Sequence, residues 1–246
     1  MKFKRIKDIL VIASIKSVPD LKRQPLILLL LGLVSSLPLF FIIVYGADIS
    51  HGLVGAMIST VSFIGLTAAI QDVAYDRFLK MREMMVAMPV HPLSYALGVA
   101  LAPLILATPG LIFFGTISLW IGALTLPSLF WASAVLVLCW ATMSSIGFLI
   151  STYLQKAPPY VLGNIANVLG LLLSFIPPVY YPEEILGTFS WISTIFPTSN
   201  ATSLIRVYTG SLNLPFETIV IRWSVLIIAA VFFAALAAAK ARWREP

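Results

Sequence analysis

The sequence predicts an all-α integral membrane protein with six transmembrane helices, and three observations predict it. First, 60% of the 246 residues are hydrophobic and only 11% are charged, with a mean hydropathy of +0.99, which leaves too little polar surface to clothe a water-soluble domain. Second, apolar stretches of about twenty residues, enough to cross roughly 30 Å of hydrocarbon, recur at 25–45, 52–71, 95–122, 128–154, 159–180 and 216–239. Third, with the N-terminus inside, all of the sixteen Lys and Arg except Arg206 and Arg222 fall on the cytoplasmic side. Both termini are therefore expected in the cytoplasm. The net charge of +6 answers to anionic lipid headgroups and topology, and nucleic acid is not an expected partner.

Residues 1–24 read as an N-terminal amphipathic interfacial helix on the inner leaflet. Phe3, Ile6, Ile9 or Leu10, and Ala13 share one face, with Lys2, Lys4, Arg5, Lys7 and Asp8 opposite. No small-residue cleavage site follows the apolar run 9–15, so this segment is expected to stay attached. Residues 25–246 then form the six-helix transmembrane domain.

The inner loop 72–94, between spans two and three, reads as a short amphipathic helix. Phe78, Met81, Met84 or Met85, and Met88 recur every three to four residues, Asp76, Arg77, Lys80 and Glu83 take the other side, and Pro89 stops the helix. Methionine suits a surface that stays in contact with a moving partner, because its unbranched thioether repacks at little cost. Asp72 and Asp76 are spaced like the metal-binding carboxylates of membrane prenyl or phosphatidyl transferases, but no other inner loop supplies a second acidic group. They are expected instead at the positive start of the loop helix, paired with Arg77 or Lys80.

Cys139, the only cysteine, lies in the fourth span and reads as a buried thiol. His51 and His91 fall on opposite sides of the membrane, so no metal site is expected. Asn164 and Asn167 share one face of the fifth span, and Ser59, Ser62 and Thr67 punctuate the second; such groups either line a polar path or hydrogen-bond between helices.

After the fifth span Pro177, Pro178, Tyr180 and Tyr181 break the helix at the membrane rim. The charge distribution places them outside, as an outer gate. An extracellular re-entrant helical hairpin, 181–213, follows before the sixth span. Pro182 opens it ahead of Glu183 and Glu184, Pro197 ends its first helix, and Thr198 or Ser199 caps a second that runs through Arg206 to near Gly210. Glu183 or Glu184 is expected to pair with Arg206, and Glu217 with Arg222, each at a surface worth of roughly 0–1 kcal/mol. No GxxxxGK[ST] sequence and no long soluble segment occurs, so any ATP chemistry must come from another polypeptide. No ionisable group sits near the midplane, which argues against an ion-coupled carrier.

Asp76-Arg77 and Met88-Pro89-Val90 with Pro92 resemble the inner-loop pattern of the ABC-2 type permeases, prokaryotic exporters similar to human G-type half-transporters. Tyr181-Pro182, Pro197-Thr198 and Arg206 resemble the outer signature of that family. The sequence departs from the pattern at Gly187, where a second proline is frequent, and at Phe196, where the family has asparagine. The resemblance implies a permease subunit in a prokaryotic cell membrane, paired with a second copy or a sister permease, lipid around it. Two copies of a separate ATP-binding cassette subunit would bind ATP and Mg; this chain would hold no cofactor, metal or catalytic residue.

By the same resemblance, the inner-loop helix is a coupling helix, with Asp76, Arg77, Lys80, Met81, Glu83, Met84, Met88 and Pro89 facing the ATPase subunit. Spans one, two and five would surround the path at the dimer axis, which assigns Ser59, Ser62, Asn164 and Asn167 to it. The expected cargo is an amphipathic or hydrophobic drug, lipid or lipid-linked molecule. The alternatives are export of polysaccharide or ions, an Mg-dependent phosphatidyl or prenyl transferase, and a scaffold or channel-like subunit.

Overall fold

The computed structural model describes residues 2–24, 26, 49–79 and 92–240, and among these every regular element is helical. Residues 27–48, which hold most of the expected first span, and 80–91, which hold most of the expected coupling helix, lie outside the described residues. Helix α1 spans Lys2–Arg23, α2 Ile49–Phe78, α3 Pro92–Ile121, α4 Leu126–Tyr153 and α5 Pro159–Phe175. A 3₁₀ segment, Glu183–Phe189, leads through α6 (Trp191–Ile195) and α7 (Pro197–Tyr208) to α8 (Phe216–Lys240).

Four of these, α2, α3, α4 and α8, are long and apolar enough to cross a membrane, and α5 is a shorter apolar helix. The chain is thus a multi-pass all-α membrane protein. Helix α2 is the hub: 94% of its most apolar stretch is buried within the chain, against 17% for α8 at the rim. Three hydroxyls inside it cost little because they bond a carbonyl one turn back: Thr60 to Ala56 (2.8 Å), Ser62 to Ile58 (2.6 Å) and Thr67 to Phe63 (2.7 Å).

Close packing fixes the register around α2. A Cβ at Gly147 of α4 would sit 2.7 Å from the Leu66 carbonyl, and one at Gly170 of α5 would sit 2.7 Å from the Phe63 ring. Together with Ser62 against Cys139 (3.5 Å), these contacts run α4 parallel and α5 antiparallel to α2. The bundle therefore has two distinct ends. One gathers α1, the end of α2 and the start of α3; the other gathers the hairpin and the start of α8.

Several expected boundaries move. Helix α2 does not stop near residue 71 but continues unbroken to Phe78, so Asp72–Phe78 extend a span instead of starting a separate helix. Helix α5 stops at Phe175, short of the expected 180, because Pro177 and Pro178 have no N–H to continue the ladder. The hairpin's first limb is not one helix: Gly187 (φ +51°, ψ −120°) breaks it, and Pro182 precedes the 3₁₀ segment as its cap. Pro197 starts α7 as its first helical residue behind extended Phe196, so neither Thr198 nor Ser199 caps it.

Helix α1 docks onto α3 through Ile12, Ala13 and Ser17, all buried, and Gly98 leaves the space that Ile12 fills. Ile6 and Leu10 stay exposed, on a side free for lipid.

Candidate functional site

At the first end, Asp76 lies in the last turns of α2, the negative end of the helix dipole, and is buried. A carboxylate there needs compensation from outside its own helix. It receives a salt bridge from Lys16 of α1 and a hydrogen bond from the Tyr95 hydroxyl of α3. Asp72 stands 4.0 Å from the same ammonium and is more exposed. This corrects the sequence expectation that put both acids at a helix start; the expected pairing with Lys80 lies outside the described residues. Arg77 instead crosses to α4, where Nη2 donates to Ser151 Oγ (2.8 Å), while Nε donates to the Val73 carbonyl (3.3 Å).

These contacts bracket residues 80–91 from both sides. Asp76 precedes the segment, Tyr95 follows it, and their hydrogen bond fixes the spacing of its two roots. Lys80, Met81, Glu83, Met84, Met88 and Pro89 lie outside the described residues. Lys16 and Tyr95 were missed by sequence reasoning; the one signal was Lys16 itself, a cation interrupting the apolar run of α1.

At the other end, residues 176–181 pass over α2. Tyr180 is buried, its ring fills the space above Gly55, where a Cβ would meet it at 2.8 Å, it stacks on Phe175 with centroids 6.1 Å apart, and its hydroxyl faces Ser59. Tyr181 is half-exposed, donates its hydroxyl to the Ile176 carbonyl, and has its phenol pushed up by burial, so it remains a donor at neutral pH. Arg206, 3% exposed, donates Nη2 to the Val179 carbonyl (2.8 Å) and Nη1 to that of Tyr181 (3.4 Å). Its guanidinium thereby holds the proline-broken backbone, whose carbonyls have no helix to satisfy them.

Glu183 finds a different arginine from the one expected. Arg222 of α8 donates Nη2 to Glu183 Oε2 at 2.6 Å, and this buried cation does not need Glu217. Glu184 is exposed. Beside this cluster Trp131 stacks on Tyr208 at 5.0 Å, and Trp223 donates its indole N–H to the Tyr208 hydroxyl (2.9 Å).

The expected path residues fall on two different surfaces. Ser59 and Ser62 are buried, Ser62 against Cys139 at the α2–α4 contact, whereas Asn164 and Asn167 are exposed on the side of α5 away from α2. The contact face of α5 is Leu162, Ala166, Gly170 and Ser174.

A comparison with protein families matches residues 11–209 to the ABC-2 type transporter. The chain belongs to the ABC-2 type transporter family. The match begins within α1 and ends just past α7, so it takes in both ends of the bundle. No curated protein matches the chain. As an ABC-2 transporter membrane domain it is a permease, and that role implies an ATPase partner.

Proposed function

We propose that the chain is the six-span permease of an ATP-driven exporter, with α1 and the 80–91 segment in the cytoplasm and the 181–213 hairpin outside. Two permeases, identical or sister chains, pair in the membrane, and two ATP-binding cassette subunits dock beneath them on the coupling residues. Closure of those subunits on ATP moves the coupling segments and switches the path from inward- to outward-open. The cargo is an amphipathic or hydrophobic molecule taken from the cytoplasm or inner leaflet.

The single observation that carries this reading is the face of α5 that no other described helix covers. Asn164 and Asn167 are exposed on a helix of an apolar bundle, alongside Val168, Leu171 and Leu172. Amides facing lipid would be left without partners, so this face needs either a second permease or a wetted path, and a path along the contact between two permeases provides both. The aromatic residues mark the hairpin end as a headgroup boundary: Trp120, Trp131, Trp191, Trp223 and Tyr208 all lie there.

Replacing Met84 and Met88 with Glu is expected to abolish co-purification of the ATPase subunit while the permease itself still inserts. Undiminished recovery of the ATPase subunit contradicts the coupling assignment.

A further inference from the structure

The two limbs of the hairpin are held in opposite ways. Every residue of α7 from Pro197 to Arg206 is buried. In the other limb, residues 183–195, nothing in the 3₁₀ segment is buried and Ser193 alone is buried in α6. Four of its large apolar side chains, Ile185, Phe189, Trp191 and Ile195, are each at least 60% exposed, and only Leu186 and Ile192 are half-buried, so apolar packing fastens it weakly.

A carboxylate holds it. Glu183 Oε1 accepts from Ser203 of α7 (2.7 Å), and Oε2 accepts from Ser193 (3.0 Å) and from Arg222 of α8 (2.6 Å). Arg222 Nη1 also reaches Asn200 Oδ1 at 3.4 Å, and the Asn200 amide donates to the Thr194 carbonyl at 2.7 Å. One charge thus ties the limb to both neighbours. The two partners differ in accessibility: the side chain of Glu183 is 22% exposed and that of Arg222 only 5%. Water can receive the carboxylate as it leaves, and Asn200 stays behind as an acceptor for the cation, so this pair parts more easily than a sealed one. Segments with few apolar contacts open first. The limb also has one pivot within it, Gly187 at positive φ, and another at its end, extended Phe196.

We propose that Glu183 and Arg222 are positioning residues of the transport cycle: their ion pair latches the 183–195 limb against α7 and α8, and its parting lets the limb swing aside for release. The proposal rests on the export reading above. The test uses the permease–ATPase complex in sealed cells, with Cys139→Ala and Ile192→Cys, and a membrane-impermeant maleimide applied outside.

Labelling is expected to be slow without nucleotide and about tenfold faster when the ATPase subunit is trapped with ATP and vanadate. Glu183→Gln makes it fast in both states, Glu183→Asp keeps the difference, and the exchange Glu183→Arg with Arg222→Glu restores it. Equal labelling in both nucleotide states, unchanged by Glu183→Gln, overturns the latch. Labelling reached only from the cytoplasmic face overturns the export orientation instead, while a nucleotide-dependent rate there still supports the latch. If Glu183→Gln fails to assemble, the nucleotide dependence of the unsubstituted Glu183 complex decides alone.

Discussion

Asp76 is the residue whose environment is most demanding. It is a buried acid at the negative end of a helix, and Lys16 and Tyr95 make it tolerable. Removing the carboxylate strands the Lys16 ammonium, and removing one member of a buried pair costs about 3–5 kcal/mol. Asp76→Ala is therefore expected to lower the permease's apparent stability in detergent by that order. Asp72→Ala, 4.0 Å from the ammonium and more exposed, should cost under about 1 kcal/mol in the same thermal assay. Equal losses would show that the node is not centred on Asp76. Sequence reasoning singled out Asp76 and Arg77 but missed Lys16, Tyr95 and Ser151 as their partners. Partners 60 residues away, such as Lys16, are set by tertiary packing, which helical spacing cannot reveal.

At the scale of elements, periodicity and length located four of the expected spans among the described residues, since twenty apolar residues have few other uses. Boundaries failed where two signals competed. Helix α2 runs on through Asp72–Phe78 because nothing there breaks a helix. The hairpin limb was read as one helix because its apolar spacing is helical, but Gly187 adopts a positive φ that ends it. The start of α4 was read at 128 and lies at Leu126, where Thr125 and Ser128 form a reciprocal cap.

Glycines at helix contacts offer a clean comparison. An added methyl at Gly147 meets the backbone of α2, which cannot give way, whereas Gly115 has nothing within 4 Å. Gly115→Ala should stabilise by about 0.5–1 kcal/mol through helix propensity, and Gly147→Ala should destabilise by about 1–3 kcal/mol despite the same gain. Thermal denaturation of the two variants in detergent decides it; similar shifts would mean that the α2–α4 contact is looser than described.

At the scale of the whole molecule, the bundle is a rigid centre with two specialised ends. The ion-paired roots of the 80–91 segment lie at one end, and the arginine-braced, proline-broken hairpin at the other. Composition alone made the membrane setting legible, and the short motifs pointed to the ABC-2 type family that the match over residues 11–209 establishes. The path was less legible. Polarity selected Ser59, Ser62, Asn164 and Asn167 together, but the serine hydroxyls turn inward and the asparagines outward, because polarity does not say which way a helix is rotated.

The central claim is that these two ends face opposite sides of the membrane, with the coupling segment inside. Single cysteines at Thr188 and Met84, each in a Cys139→Ala background, test it in intact cells with a membrane-impermeant maleimide. The account predicts that Thr188→Cys labels in intact cells and Met84→Cys only after permeabilisation. Labelling of Met84→Cys in intact cells, with Thr188→Cys protected, would contradict it.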